Sequence, residues 1–302
     1  MVISKQLKND KDEQIGEESP KADFLPLNFR EVMSRRTEEP MANNAITRRM
    51  KNEVDNGKGG IALEAGVVLK MQGICMTFPG VKALEGVDLT LKKGEIRALM
   101  GENGAGKSTL IKCLTGVNKF EAGEIYLEGF DHPIVNKDTM DAQKKGISTV
   151  YQEVNLCPNL SVAENLYIGR EPLTKLGTVN RKAMNRQAAA LMKQLELDVD
   201  VTRNLEEYSL ALQQMIAIAR AVDMDCKVLI LDEPTSSLDD REVEKLFTMM
   251  RRLKEKGVGI IFVTHFLEQV YAVCDGITVL RNGKLVGEYD IADLPRVKLV
   301  AA

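Results

Sequence analysis

The chain has 302 residues, of which 44% are hydrophobic and 28% are charged, values that are ordinary for a globular protein. Its 41 basic and 44 acidic side chains leave a net charge of −3, which gives no electrostatic reason to expect nucleic acid or an anionic membrane as a direct partner. No apolar run approaches the roughly 18–20 residues of a transmembrane helix, and the amino terminus lacks the apolar core of a signal peptide. We therefore expect any membrane association to come through another subunit.

Residues 1–65 differ in composition from the rest. They carry mixed charges, few aliphatic side chains and no sustained hydrophobic period. Such a segment buries too little apolar surface to offset its ordering entropy, which predicts a disordered tail. The stretch from Phe24 to Phe29 is either a short docking motif or a random apolar cluster. A further interpretation of this segment is that the natural protein starts at Met41 and that the preceding residues are an extension.

Strand-like runs begin at Val67. The pattern predicts strands over Val67–Cys75 and Val87–Leu91, and then a short apolar strand over Ile96–Met100. A glycine-rich loop follows this strand and precedes a helical pattern that begins near Lys107. Strand and helix alternation around such a loop predicts an α/β sheet with the ligand at the carboxyl ends of the strands.

The glycine-rich loop fits the pattern G-x-x-x-x-G-K-[ST] without a gap. Its glycines allow backbone N–H groups to turn inward and form a concave anion site, to which the following helix adds the positive end of its dipole. Lys107 is predicted to reach the β- and γ-phosphates, and Ser108 to offer its hydroxyl to Mg²⁺. The sequence thus predicts binding of a nucleoside triphosphate such as ATP by Gly101, Glu102, Asn103, Gly104, Ala105, Gly106, Lys107, Ser108 and Thr109.

The middle of the chain is predicted to be helical, over about residues 153–225. Its clearest helix runs from Lys182 to Leu195 and places Leu191 and Leu195 on one face. A further amphipathic helix contains Val243 to Leu253 and is stopped by Gly257. We interpret both apolar stripes as core.

Two acidic residues end a buried-strand pattern of four aliphatic residues. Asp232 is predicted to hold the Mg²⁺ that bridges the phosphates, because it stands at the carboxyl end of the strand. Glu233, one residue on, is predicted to orient or deprotonate the attacking water. The simpler interpretation is that two acids merely end a strand at the surface. The complete phosphate loop upstream favours the catalytic interpretation.

Farther along the chain, two strand patterns flank a turn signal. Gly276–Leu280 and Lys284–Tyr289 surround Arg281-Asn282-Gly283, which predicts a hairpin. The five cysteines are far apart and form no C-x-x-C pair, and the chain has only two histidines. We therefore expect no zinc site, and cysteines that are small buried side chains in a reducing compartment.

The order of these motifs resembles the ATP-binding cassette of an ABC transporter, over about residues 67–295. The resemblance implies a P-loop NTPase fold with a RecA-like core, an antiparallel β subdomain and a helical subdomain, within a domain spanning residues 66–295. It further implies that Gln152 contacts Mg²⁺ and the membrane partner, and that Asp239 belongs to the loop that meets a second cassette. His265 would contact the γ-phosphate, and Phe78 would stack on the adenine.

Within that family the chain is most similar to bacterial monosaccharide importers of the ribose, galactose and, most of all, galactofuranose type. Four stretches carry the likeness: Phe78–Leu84, Thr149–Asn155, Glu164–Arg170 and Thr264–Val270. The resemblance implies an ATPase subunit at the cytoplasmic face of the inner membrane, bound to permease subunits and served indirectly by a periplasmic sugar-binding protein. No nucleic acid is expected.

Those importers usually carry two fused cassettes, and residues 296–302 resemble the start of the linker between them. No second phosphate loop or acid pair occurs in this chain. Either the chain is a truncated or split gene product, or a separate protein supplies the second cassette. Two different functions also fit the motifs: a non-transport ABC ATPase acting on nucleic acid or ribosomes, and an ATP-binding remnant without turnover.

The family's signature loop, usually Leu-Ser-Gly-Gly-Gln, departs from its pattern here. It falls on Tyr208-Ser209-Leu210-Ala211-Leu212, so that Ser209 remains and both glycines are replaced. The family pairs each phosphate loop with the partner's signature loop, so Ser209 would contact a nucleotide held by the other cassette. A leucine side chain at 210 would crowd that approach, which predicts two unequal sites.

The apolar stretch over residues 154–160 follows Gln152. In the family, a short cytoplasmic helix of the permease docks near this position, and the competing interpretation is that the stretch is an interior packing loop.

Overall fold

The computed structural model describes residues 63–151 and 156–293. The elements follow in this order: β1 (Val67–Phe78), β2 (Val81–Lys92), β3 (Ile96–Met100), α1 (Lys107–Leu114), β4 (Ala122–Leu127), α2 (Thr139–Lys144), β5 (Ile147–Val150), α3 (Val162–Tyr167), α4 (Arg181–Gln194), α5 (Leu210–Val222), β6 (Val228–Asp232), α6 (Asp240–Glu255), β7 (Gly259–Val263), α7 (Leu267–Val273), β8 (Gly276–Arg281) and β9 (Lys284–Asp290). Short 3₁₀ turns lie at Leu205–Glu207 and Ile291–Asp293.

A six-stranded sheet with the order β5-β6-β7-β3-β8-β9 forms the centre of the fold. Its first five strands are parallel, and β9 pairs with β8 in the antiparallel direction. Every residue of β3 and β7 is buried. Central parallel strands are covered on both faces, which explains why their residues are apolar except for Arg97 in β3, whose buried guanidinium pairs with Glu95 at 2.6 Å. The parallel α/β arrangement that the strand and helix alternation predicted is confirmed.

A second, antiparallel sheet has the order β2-β1-β4. Its first two strands are longer than predicted, because β1 continues to Phe78 and β2 begins at Val81. Only Pro79 and Gly80 separate them, and Gly80 has a φ of +83°. Pairing between β1 and β2 therefore extends both strands beyond the residues whose apolar alternation predicted them. Strand β4, which pairs with β1, was not predicted from the sequence.

Side chains alternate between the two faces of the central sheet, and each face has its own core. On one face, Ile96, Ala98 and Met100 pack with the helices α3 to α6. On the other, Leu99 packs with α1 and with the three-stranded sheet. Because β3 contributes side chains to both cores, the phosphate loop that follows it directly begins between the two packed layers.

Residues 156–225 contain the helices α3, α4 and α5 and no named strand. The predicted helix over 182–195 is confirmed as α4, with Leu191 and Leu195 both buried. The predicted limits of a helical subdomain, 153–225, remain a prediction. Helix α6 also matches its predicted stripe and is followed by Gly257, whose φ is +88°.

The predicted hairpin is present as β8 and β9. Asn282 and Gly283 both have positive φ, at +51° and +75°, as a two-residue turn of type I′ requires. Within residues 63–151 and 156–293, no helix is long and apolar enough to cross a membrane. Most of the predicted tail lies outside the described residues, including Phe24–Phe29 and Met41. Gln152 and residues 296–302 also lie outside them.

Candidate nucleotide site

The phosphate loop joins β3 to α1, and close backbone contacts require its glycines. Gly101 has a φ of +154°, and a Cβ atom there would lie 2.3 Å from the carbonyl oxygen of Leu280. Gly106, the N-cap of α1, has a φ of +105°, and its Cβ would lie 2.9 Å from the carbonyl oxygen of Ala83. Neither position has room for a side chain, so the loop keeps the open curve that exposes backbone N–H groups.

Lys107 is the first residue of α1 and is only 9% exposed. Its ammonium donates hydrogen bonds to the carbonyl oxygens of Gly101, at 2.8 Å, and of Glu102, at 3.1 Å. Burial lowers the pKa of Lys107, and the carboxylates of Glu233 and Asp232 act in the opposite direction. The lysine is thus a cation held in the loop with acidic groups nearby, the electrostatic setting of a phosphate-binding lysine.

A cavity of about 540 Å³ lies over the loop and brings most of the predicted site residues together. Phe78 stands at its mouth with 40% of its surface exposed. Asp232 and Glu233 line another part of the cavity. The predicted residues that line the cavity are Phe78, Asn103, Gly104, Ala105, Gly106, Lys107, Ser108, Thr109, Asp232 and Glu233. Gly101 and Glu102 form the base of the loop beneath Lys107.

The acid pair lies where β6 ends. Asp232 is the last residue of the strand, and burial, followed by the neighbouring charge of Glu233, raises its pKa, whereas Lys107 opposes that rise. Glu233 has a φ of +48°, which is unusual for a residue with a side chain. Its N–H donates to the carbonyl oxygen of Val263 at 3.0 Å. Backbone strain of this kind, held by a hydrogen bond, is typical of functional positions.

His265 lies beside Glu233. The Nδ1 atom of its ring is 3.4 Å from the Oε1 atom of Glu233, and the ring packs against Phe266 with 4.0 Å between the ring centroids. The loops after β6 and β7 are tied together by Gln269, whose Oε1 atom accepts hydrogen bonds from the hydroxyls of Thr235 (2.8 Å) and Thr264 (3.2 Å). The sequence motifs did not indicate Gln269, which acts by joining two loops.

Two predicted residues lie away from this cavity. Ser209 is the N-cap of α5 and lines a separate groove beside α6. Asp239 is the N-cap of α6, where it accepts a hydrogen bond from the N–H of Glu242 at 2.8 Å. Neither contacts the phosphate loop of its own chain, so a role at a nucleotide would require a second cassette. Gln152 lies outside the described residues.

The donor set fits Mg²⁺. The hydroxyl of Ser108 and the carboxylate of Asp232 line the same cavity, and hard oxygen donors are the ligands that this ion prefers. In the described part of the chain, no three His, Cys, Asp or Glu side chains cluster closely enough to hold a metal by themselves. This pattern is typical of an ion bound through one or two protein oxygens plus phosphate oxygens of a substrate.

Five cavity residues were not identified as site residues from the sequence. Val81, Lys82 and Ala83 come from the start of β2, Val263 ends β7, and Asn282 comes from the turn between β8 and β9. Two sequence signals touched these residues: Val81, Lys82 and Ala83 lie in the stretch Phe78–Leu84 that resembles the importers, and Asn282 lies in the turn motif that predicted the hairpin. Neither signal predicted a location beside the site.

Replacing the acid at the end of β6 should change the stability of the protein in a way that depends on pH. Asp232→Asn should raise the thermal midpoint at neutral pH, because burial and Glu233 disfavour the ionised carboxylate, whose pKa is raised. That gain should shrink as the pH falls and Asp232 of the wild type becomes protonated. Thermal unfolding between pH 4 and pH 8 measures the effect. A gain that is constant over this range, or a loss at neutral pH, would contradict it.

The arrangement defines a P-loop NTPase of the ABC type, and comparison with known proteins agrees. The ABC transporter family model matches residues 84–236, and the chain belongs to this family. Solved structures of ABC cassettes share the fold. One, an ATP-binding cassette of an ABC transporter in its ADP conformation, superposes with a TM-score of 0.66 at 27% identity over 77% of this chain and 98% of that one.

Two curated relatives of this chain are named as ATP-binding proteins of sugar transport. The chain is 56% identical over 233 residues to the galactofuranose transporter ATP-binding protein YtfR of Escherichia coli, across 77% of this chain and 46% of the relative. It is 52% identical over 234 residues to the fructose import ATP-binding protein FruK of Bifidobacterium longum, across 77% of this chain and 45% of the relative. The chain therefore spans about half the length of the curated relatives that it matches.

Proposed function

We propose that the chain is the ATP-hydrolysing subunit of an ABC importer for a monosaccharide, with a galactofuranose-like sugar as the first candidate. The observation that carries the proposal is the cavity that joins Phe78, the phosphate loop, Asp232 and Glu233. The sugar class is supported by the identity to the galactofuranose, fructose and ribose import proteins. Sugar choice in such a system would lie with other subunits.

In the proposed reaction, the adenine stacks on Phe78, and the phosphates lie along the loop from Gly101 to Thr109. Lys107 turns its ammonium from the carbonyl oxygens of Gly101 and Glu102 toward the β- and γ-phosphates. When bound, Mg²⁺ would be held by Ser108 and Asp232, with Gln152, and would neutralise charge on the phosphate oxygens.

Glu233 acts as the general base. Its carboxylate accepts a proton from the attacking water, or orients that water in line with the γ-phosphate. His265 lies 3.4 Å from this carboxylate and would contact the γ-phosphate, so that it senses whether the phosphate is present. Its side chain is 55% exposed, which leaves the ring free to reorient as the site closes.

The proposed working unit contains a second cassette, supplied by another copy of the chain or by a separate protein. Ser209 and Asp239 lie outside the cavity of their own chain, where they are available to a partner. The first turn of α5 carries Leu210, which is 45% exposed, and Ala211, which is buried. The Leu210 side chain therefore projects from the helix end that would face the partner's nucleotide, and the site that it completes is expected to hydrolyse slowly.

Restoring the glycines tests this asymmetry. In an assembled transporter, Leu210→Gly with Ala211→Gly should raise hydrolysis at the partner's site severalfold, because the backbone of α5 can then approach the γ-phosphate. Leu176→Gly is the matched control, since Leu176 is 92% exposed in a loop. If the double variant assembles normally and its turnover is unchanged, the proposal of two ATP sites with unequal hydrolysis rates is contradicted.

The proposed location is the cytoplasmic face of the inner membrane, where the chain binds permease subunits. A periplasmic sugar-binding protein acts on it only indirectly. Leu156 and Leu160, in the proposed docking stretch, are both half-buried, and Leu156 packs against the core. The stretch thus has an interior side, and docking would use its remaining surface.

The direct test is the ATPase activity of the purified chain, with light scattering to detect dimers in the presence of ATP. Turnover together with dimerisation would support an active dimer formed from two copies of this chain. Tight ATP binding without turnover or dimerisation would support an active dimer that is completed by a separate cassette. Absence of Mg-ATP binding would refute the proposed function.

A further inference from the structure

The turn between β8 and β9, together with Leu280 near the end of β8, contacts the phosphate loop. The N–H of Gly283 donates to the carbonyl oxygen of Ala105, in the loop, at 3.0 Å. The carbonyl oxygen of Leu280 occupies the space beside Gly101, where a Cβ atom would approach it to 2.3 Å. The hydrogen bond and this tight packing support the loop at the cavity wall, which both Ala105 and Asn282 line.

The same turn also contacts the hairpin that carries Phe78. The carbonyl oxygen of Gly283 accepts a hydrogen bond from the N–H of Glu85 at 2.8 Å. A Cβ atom at Gly283 would lie 2.6 Å from the carbonyl oxygen of Ala83, and Lys284 pairs with the carboxylate of Glu85 at 3.3 Å. One glycine therefore donates to the phosphate loop and accepts from the neighbouring strand.

We propose that Gly283 is a positioning residue of the nucleotide site. It sets the separation between the phosphate loop and the hairpin that carries Phe78, so that one nucleotide reaches both its base and its phosphate contacts. Asn282, the other residue of the turn, lines the cavity, which makes the turn part of its wall. The inference rests on the proposed binding of ATP.

A change at Gly283 should displace the hairpin more than the loop. The loop is held between β3 and α1, both packed in the core. By contrast, β2 is an edge strand of the three-stranded sheet whose first three residues precede its buried part, and Val81 at its start is 62% exposed. Displacement of Phe78 would cost the base contact, whose loss typically weakens binding by about tenfold or more. Ligands without a base would be affected little.

The test compares the affinities of Gly283→Ala and wild type for Mg-ATP and for Mg-tripolyphosphate, measured by calorimetry. The variant should bind ATP about tenfold more weakly and tripolyphosphate within about twofold of wild type. Gly177→Ala is the matched control. Gly177 has a φ of +78°, close to the +75° of Gly283, but a Cβ there would meet nothing within 4 Å. It should leave both affinities unchanged.

A double-mutant cycle excludes a merely structural effect. Phe78→Ala should lower ATP affinity by a similar factor, and adding Gly283→Ala should then lower it little further. If Gly283→Ala does not fold, Gly283→Asn presents the same Cβ contact with less backbone strain.

ATP affinity equal to wild type, or equal losses for ATP and tripolyphosphate, would overturn the inference and leave the proposed function standing. A wild-type chain that binds neither ligand would instead refute the proposed function and the inference with it.

Discussion

Glu233→Gln should lower ATP hydrolysis by about a thousandfold while leaving ATP binding within about threefold of wild type. Glutamine keeps the shape of the side chain but cannot accept the proton of the attacking water. Glu233 lines the cavity with a strained backbone and a contact to His265, and its carboxylate is one of the acidic groups near Lys107, so a neutral glutamine leaves the phosphate contacts of the loop in place. Phosphate release and calorimetric titration measure the two effects separately.

Glu268→Gln is the matched control for this variant. Glu268 is an exposed carboxylate in the first turn of α7, three residues after His265. Its replacement changes the net charge by the same amount, and turnover should remain within about twofold of wild type, as for an ordinary surface change. Residual hydrolysis above about a tenth of wild type in Glu233→Gln would show that another group activates the water.

Lys107→Met should weaken Mg-ATP binding by about a hundredfold or more. The lysine is expected to make charge-assisted hydrogen bonds to two phosphate groups, each contributing about 1.5–3 kcal/mol. Stability should change little, because the loss of the hydrogen bonds to Gly101 and Glu102 is offset by removal of a buried cation whose pKa is lowered by desolvation. Calorimetry and thermal unfolding measure the two quantities.

Lys112→Met serves as its control. Lys112 lies on the same helix, is exposed, and should alter ATP affinity by less than about threefold. If Lys107→Met binds ATP as tightly as Lys112→Met does, Lys107 is a structural lysine that closes the loop, and phosphate recognition depends on the backbone N–H groups alone.

Several features of the site were predictable because they are local in sequence. The phosphate loop needs consecutive residues of fixed conformation, so its glycines, Lys107 and Ser108 form one uninterrupted motif. The acid pair was equally visible, because a buried parallel strand is a short apolar run and the residues after it stand at the sheet edge. The hairpin turn was predicted from Asn282 and Gly283, two residue types that tolerate positive φ.

Other features depend on contacts between distant segments. Strand β4 has a weak apolar pattern of its own, and pairing with β1 determines that it is a strand. Gln269 joins the loops after β6 and β7 through two threonine hydroxyls, and no local pattern indicates such a bond. Val81 to Ala83 line the cavity because the antiparallel sheet packs beside the central one.

The amino-acid sequence by itself determined the phosphate loop, the acid pair, the alternation of strands and helices and the likeness to sugar importers, since each is encoded in short motifs and their order. The tertiary structure alone decided that Phe78 and the acid pair face one cavity, and that Ser209 and Asp239 lie outside it. It also decided that Gly283 links the phosphate loop to the Phe78 hairpin. The physical reason is that these relations depend on how two sheets and a helical layer pack, and packing joins residues up to some two hundred positions apart, as in the hydrogen bond between Glu85 and Gly283.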